Sequence, residues 1–309
     1  MADQLQPDLR YSQNFLTSPR LIDHLLDRSS IASEDLVLEI GAGRGLITER
    51  LARRCRRVIA IEKDARLSSI LRKRLGGYPN VSIHEADFLA CRLPAGNYKV
   101  FASIPFSMTT QIVTKLTGAP NPPLDAYLVM QREAGARFTG TPVGSLWATL
   151  LKPWFELTVV HRFHRTDFDP VPQVDVVMLR LRKRGPPLID NRAASLYRDF
   201  VTYCFTAWRR YLRDTLQDLF DRRRARTIAD ASGIRPGDTP SRLNFEQWLA
   251  LFAAFKDSES RAAMGRVANA ERRLRGQQSG LKKIHRSRTS GAVMLSRRHL
   301  HQDSVSHRR

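Results

Sequence analysis

Apolar positions over the first 185 residues fall into short blocks separated by stretches of helical periodicity, the pattern of a sheet covered by helices on both faces. Leu36-Val37-Leu38-Glu39-Ile40 and Val58-Ile59-Ala60-Ile61-Glu62 are two such blocks, joined by a glycine turn and a helix opening at Leu46. The order strand, turn, helix, strand is a βαβ unit. Ahead of it, Ser18-Pro19 starts a helix with Leu21, Ile22, Leu25 and Leu26 at helical spacing. Asp64 caps a helix through Leu75, and Val81-Ser82-Ile83, Lys99 to Ala102 and Tyr127 to Met130 read as three further strands. Helices are expected from Thr109 to Leu116 and from Gln131 to Phe138. Two late strands, Phe155 to Phe163 and Val174 to Leu181, flank Phe168-Asp169-Pro170-Val171-Pro172, whose prolines fix their own φ and make a rigid wall.

Only helical periodicity appears from Asn191 to Lys256. Beyond Asp257 the chain is rich in Arg, Ser, His and Gln with few apolar anchors, and is expected to stay mobile. The expected organisation is an α/β domain over 1–184, a helical domain over 185–257 and a basic tail over 258–309.

Charge changes the picture more than composition does. The 309 residues are 42% hydrophobic, enough for a proper core, but the net charge is +21. Such an excess points to an anionic polymer or an anionic membrane surface as partner. From Arg261 to Arg309 there are 13 Lys or Arg against 2 Asp or Glu, so +11 of the +21 lies in the last segment and the body is itself basic. Cys55, Cys91 and Cys204 have no C-x-x-C spacing and no paired His, which excludes a zinc knuckle and argues against a disulfide framework. No metal is expected. With no signal segment and no run of 18 apolar residues, a soluble cytoplasmic protein is expected.

Gly41, Gly43 and Gly45 let the backbone turn tightly and approach a ligand. The third glycine comes one residue sooner than in G-x-G-x-x-G, which suits an adenosine-type ligand without a pyrophosphate better than a dinucleotide. Glu39, Glu62 and Asp87 follow three successive strands, and parallel strands share one rim. A cationic adenosine would use them, with Glu62 on the ribose and Asp87 near the adenine amino group; S-adenosylmethionine, a sulfonium, is such a ligand. Ser103-Ile104-Pro105-Phe106 ends the fourth strand on the same rim. There the Ser103 hydroxyl and the Ile104 carbonyl could accept hydrogens of an exocyclic amine, Pro105 stiffens the turn, and Phe106 offers a face for an unpaired base.

Gln13-Asn14-Phe15-Leu16, Glu39-Ile40-Gly41-Ala42-Gly43, Glu62, Asp87-Phe88, Ser103-Ile104-Pro105-Phe106, Gln131-Arg132-Glu133 and Phe168-x-Pro170-x-Pro172-x-Val174 occur in this order. As a set, spanning about residues 10 to 255, they resemble the rRNA adenine N6-methyltransferases, most closely the erythromycin-resistance (Erm) 23S rRNA methyltransferases. The resemblance implies a Rossmann-like class I S-adenosylmethionine-dependent methyltransferase sheet with a small C-terminal all-helical rRNA-binding domain. It implies that Asn14 and Leu16 close over the cofactor, that Gly41 and Gly43 form the methionine-side turn, and that Glu62 and Asp87 hold ribose and adenine. Ser103 and Phe106 then resemble the target-base site, with Ser103 also beside the cofactor, although the family usually has Asn where this chain has Ser103.

The implied activity is methyl transfer to N6 of one adenine in 23S rRNA, free or partly assembled, by a monomer requiring no protein partner. The implied consequence is resistance to macrolide, lincosamide and streptogramin B antibiotics. Two alternatives share these motifs: the small-subunit (16S) rRNA dimethyltransferase and a non-catalytic nucleic-acid-binding factor. Phosphate contacts are expected among Arg132, Arg137, Lys152, Arg162, Arg165, Arg180, Arg182, Lys183 and Arg184, on or near the rim. Trp208, Tyr203 and Phe205 are expected in the core of the helical domain.

Overall fold

The computed structural model describes residues 14–279. Strand β1 (Phe15–Leu16) precedes helix α1 (Pro19–Asp27), whose cap is Ser18, its hydroxyl accepting from the Leu21 amide at 3.2 Å. The βαβ unit follows as β2 (Leu36–Ile40), α2 (Leu46–Ala52) and β3 (Arg57–Glu62). Asp64 accepts from the amides of Arg66 and Leu67 and so starts α3 (Ala65–Leu75), which leads to β4 (Val81–Glu85). The α/β part continues through β5 (Lys99–Ser103), α4 (Thr109–Thr117), β6 (Asp125–Gln131), α5 (Arg132–Thr139), α6 (Leu146–Leu151), β7 (Phe155–Arg162), β8 (Phe168–Asp169) and β9 (Val176–Lys183).

Seven strands form one sheet in the order β4-β3-β2-β5-β6-β9-β7, parallel from β4 to β6 and antiparallel through β9 and β7. Side-chain alternation divides its core in two. Val37, Val58, Phe101, Tyr127, Val129 and Met178 pack on one face with α1 and α2, while Leu38, Val100, Ala102, Leu128, Met130 and Leu179 pack on the other with α4. Parallel strands carry their C-terminal ends on one edge, so the glycine turn after β2 and the end of β5 come together there.

The helical domain comprises α7 (Ala194–Thr206), α8 (Leu212–Leu219), α9 (Arg222–Ala231), α10 (Phe245–Asp257), α11 (Arg261–Val267) and α12 (Ala270–Ser279). Its core centres on Tyr197, Phe200, Phe252 and Phe255, with the Phe200 and Phe255 rings stacked at 4.3 Å. Leu150 and Trp154 of the α/β part join this cluster, and the Tyr197 hydroxyl donates to the Thr149 carbonyl at 2.8 Å, so the two parts share one core.

Four expectations are corrected. The chain does not become mobile at 258: α11 and α12 continue the helical domain, because Ala263 and Val267, though small, recur at helical spacing and are fully buried in its core. Residues 1–13 and 280–309, including the rest of the tail, lie outside the described residues. Trp208 is not core but 81% exposed, since it falls in the turn between α7 and α8, whereas Tyr203 and Phe205 do pack on the cluster. The expected wall before the two prolines is partly a strand, β8, which pairs with β1 in a two-stranded sheet of its own. Finally, Arg180 is not free for a phosphate: it stands opposite Tyr127 in the β6–β9 pair and reaches diagonally along the same face to the buried Asp125, which it engages through both Nε and Nη2.

Candidate active site

The loop after β2 turns on Gly41, Gly43 and Gly45, all with φ between +56° and +81°, a region that side chains rarely enter. The Gly41 amide donates to the Ile61 carbonyl at 2.8 Å, holding the turn against the end of β3. Glu62 completes the tie: one carboxylate oxygen accepts from the Gly43 amide at 2.8 Å and the other from the Asp64 amide at 2.9 Å. It is buried between the turn and the start of α3.

Across the turn lies the Phe15 ring, so close that a Cβ built on Gly43 would stand 2.4 Å from it. The ring is held by the β1–β8 pair, Phe15 opposite Asp169 and Leu16 opposite Phe168, and the Thr17 amide donates to the Asp167 carbonyl at 3.0 Å. Arg44 lies over the Phe15 ring at 5.4 Å and pairs with Asp169 at 3.7 Å.

Between these walls is a cavity of about 240 Å³, reached by Asn14, Leu16, Gly41 and the whole Ser103-Ile104-Pro105-Phe106 strip. Ser103, the last residue of β5, donates from its hydroxyl to the Asn14 carbonyl at 3.5 Å. The Ile104 side chain is buried and its amide donates to the Val129 carbonyl at 3.3 Å, anchoring the strip to β6. The Pro105 carbonyl accepts from the Met108 amide at 2.9 Å, and a short 3-10 turn from Phe106 to Met108 leads into α4. The Phe106 ring is half-buried, packed on the core and facing the cavity at once.

Two carboxylates behave differently from Glu62. Glu39 sits inside β2, where burial, and to a lesser extent the Glu62 charge, pushes its carboxyl up to about 8 against an opposing Thr48 contact. Its Oε2 has no hydrogen-bond partner among the described residues. Asp87 stands beyond β4, outside the cavity. It accepts from Lys63 at 2.9 Å and from the Leu89 amide at 2.9 Å, and the Lys63 ammonium foremost holds its carboxyl below the usual range.

The structure thus brings Asn14, Leu16, Gly41 and residues 103–106 to one cavity and sets Glu62 behind its glycine wall through Gly43. Asp87 is left on the neighbouring part of the rim, facing Lys63. Phe15, Arg44 and Asp169 also line the cavity and were given no site role by the sequence reading, although Phe15 and Asp169 lie within its motifs. Phe15 stands between two residues that it did select, and nothing in the chain's pattern links Arg44 to Asp169. The residues present fit S-adenosylmethionine: a glycine turn too close-packed for any Cβ at Gly43, a cavity beside it, and a buried carboxyl oxygen of Glu39 lacking a partner next to that turn.

Fold and site together define a class I S-adenosylmethionine-dependent methyltransferase. A family model described as ribosomal RNA adenine dimethylase matches residues 5–257, and the chain belongs to that family. It is 34% identical over 246 residues to an rRNA adenine N-6-methyltransferase of Saccharopolyspora erythraea, covering 79% of this chain but 64% of that relative's length. A ribosomal RNA small subunit methyltransferase A of Bacillus mycoides is 30% identical over 261 residues, covering 77% of this chain and 88% of the relative. Among solved structures, the 23S rRNA methyltransferase ErmE superposes with a TM-score of 0.73 at 34% identity, over 79% of this chain and 100% of that one. A dimethyladenosine transferase from Plasmodium falciparum shares the fold, with a TM-score of 0.65 at 23% identity.

Proposed function

We propose that this chain methylates N6 of one adenine in 23S rRNA and thereby confers resistance to macrolide, lincosamide and streptogramin B antibiotics. The observation that carries the reading is the likeness to ErmE, a 23S rRNA methyltransferase, over the whole of that chain at 34% identity. The Ser-Ile-Pro-Phe strip supports it, since its isoleucine follows the resistance-type pattern Asn-Ile-Pro-Tyr rather than Asn-Leu-Pro-Tyr. The small-subunit reading has support of its own in the 30% identity to the Bacillus mycoides relative and is therefore the second one.

When bound, S-adenosylmethionine supplies an electrophilic methyl group. An exocyclic adenine amine is a weak nucleophile because its lone pair is delocalised into the ring. In this reading the Ser103 hydroxyl and the Ile104 carbonyl accept the amine hydrogens and draw the nitrogen towards tetrahedral geometry, while Phe106 stacks on the base. The Ser103 hydroxyl can do so while it still donates to the Asn14 carbonyl at 3.5 Å, because its oxygen keeps acceptor lone pairs beside the O–H. Gly41 and Gly43 receive the methionine end, Glu62 the ribose and Asp87 the adenine of the cofactor, with Asn14 and Leu16 closing over it. The enzyme acts as a monomer on RNA, bare or partly assembled, in the cytoplasm.

Expression in a sensitive host tests the reading. Inhibitory concentrations of a macrolide, a lincosamide and streptogramin B should rise together with the natural chain and stay at the control level with Phe106→Ala. Unchanged sensitivity to all three would remove the resistance claim.

A further inference from the structure

On the sheet edge opposite Gly41 and Ser103, roughly 15 Å away along five-residue strands, three adjoining cavities of about 50, 460 and 560 Å³ form one groove, each reached by Gly118 and Arg198. One side is built by the loop after α4 and the end of β9, the other by α7 and α12. Six Lys or Arg line it, Arg92, Lys115, Lys183, Arg184, Arg198 and Arg275, against one carboxylate, Glu271, which is already paired with Arg275 at 2.6 Å. Lys115 is spent on the carbonyls of Phe88 and Leu89, and Arg184 on Glu156. Arg92, Lys183 and Arg198 form no ion pair with any described carboxylate, and the Arg198 guanidinium lies over the Trp154 ring at 5.3 Å.

The α12 wall lies beyond the family-matched residues 5–257 and is fastened deliberately. Asp199, the neighbour of Arg198 on α7, accepts from the Asn269 amide at 2.9 Å and the Glu271 amide at 3.0 Å, holding the first turn of α12.

We propose that this groove is a second RNA site, which holds phosphodiester backbone of the substrate remote from the methylated adenine; the proposal rests on the reading of RNA as substrate. Unneutralised cations in a concave cleft attract a polyanion narrow enough to enter it. A membrane surface is too flat to reach Arg198 between its two walls. The chain's own residues 280–309 are excluded by sign, with 8 Lys or Arg against one Asp.

The test uses the full chain, with Arg198→Gln/Lys183→Gln and, separately, Asp199→Ala, none of which touches the methyl-transfer cavity. Affinity for protein-free rRNA is measured across salt concentrations, alongside cofactor affinity, thermal unfolding, binding to anionic vesicles, and methyl transfer to long rRNA and to a short stem-loop around the modified adenine. The double variant should bind long RNA about tenfold more weakly at low salt and lose about 2 units of salt slope, one per phosphate contact. KM for long rRNA should rise with kcat, cofactor affinity and stem-loop methylation unchanged. Asp199→Ala should move RNA affinity in the same direction. Unchanged affinity and slope in the folded double variant would overturn the site, as would a loss confined to vesicles. Weakened RNA binding in an enzyme that methylates 16S rather than 23S rRNA would uphold the groove and overturn the target.

Discussion

Glu39 and Ser103 show how single residues can depart from what their types imply. Glu39 reads as a rim carboxylate like Glu62, yet its place inside β2 buries it and raises its carboxyl to about 8 from an ordinary 4.5. The folded state therefore binds the extra proton between those values, so stability is full below about 4.5 and falls as pH rises towards 8. Glu39→Gln should abolish that fall, retaining on the order of 5 kcal/mol that the natural chain loses across the window. Thermal unfolding at several pH values checks it, and parallel pH profiles for the two proteins would contradict it. Ser103 keeps an acceptor but lacks the amide NH2 donors and the longer arm of the family's Asn. Ser103→Asn should raise turnover several-fold and shift the product from monomethyl- towards dimethyladenine; mass spectrometry showing mostly dimethyladenine from the natural chain would sink the argument. The Gly41–Gly43 turn was legible because glycines at that spacing after an apolar strand have a conformational reason. That Glu62 grips Gly43, while Asp87 faces Lys63, was not, since both are carboxylates at strand ends and only packing separates them.

Among elements, the strands of the sheet were legible because buried parallel strands are continuous apolar runs with few competing readings. The pair β1–β8 was not: two residues each, more than 150 positions apart, carry no periodicity, although both lie within motifs that the sequence singled out. The α6 helix escaped for a similar reason, being only six residues between two loops. For α11 and α12 the miss came from weighing charge over the burial of two small residues. Truncation after Asp257 should therefore do more than remove charge. It strips Ala263 and Val267 from the helical core and should lower the melting temperature by several degrees relative to truncation after Ser279. Equal melting temperatures for the two truncations would contradict the assignment of α11 and α12 to the core.

At the scale of the whole molecule, charge and topology divide the labour. The net charge of +21 forecast an anionic polymer, but not where it would lie. Arg182, Lys183 and Arg184 were expected near the rim; the antiparallel direction of β9 carries them to the other edge, where Arg182 and Arg184 pair with Glu156 and Lys183 faces the groove. A parallel sheet edge gathers the glycine turn and the Ser103–Phe106 strip into one cavity, which makes a two-substrate methyl-transfer site the central claim. Its most direct measurement is incubation of the chain with labelled methyl donor and protein-free 16S and 23S rRNA, followed by primer extension to locate the modified base. The account predicts label in 23S rRNA at a single adenine, modified at N6. Label only in 16S rRNA would contradict the target, and label in neither, with the cofactor unbound, would contradict the site itself.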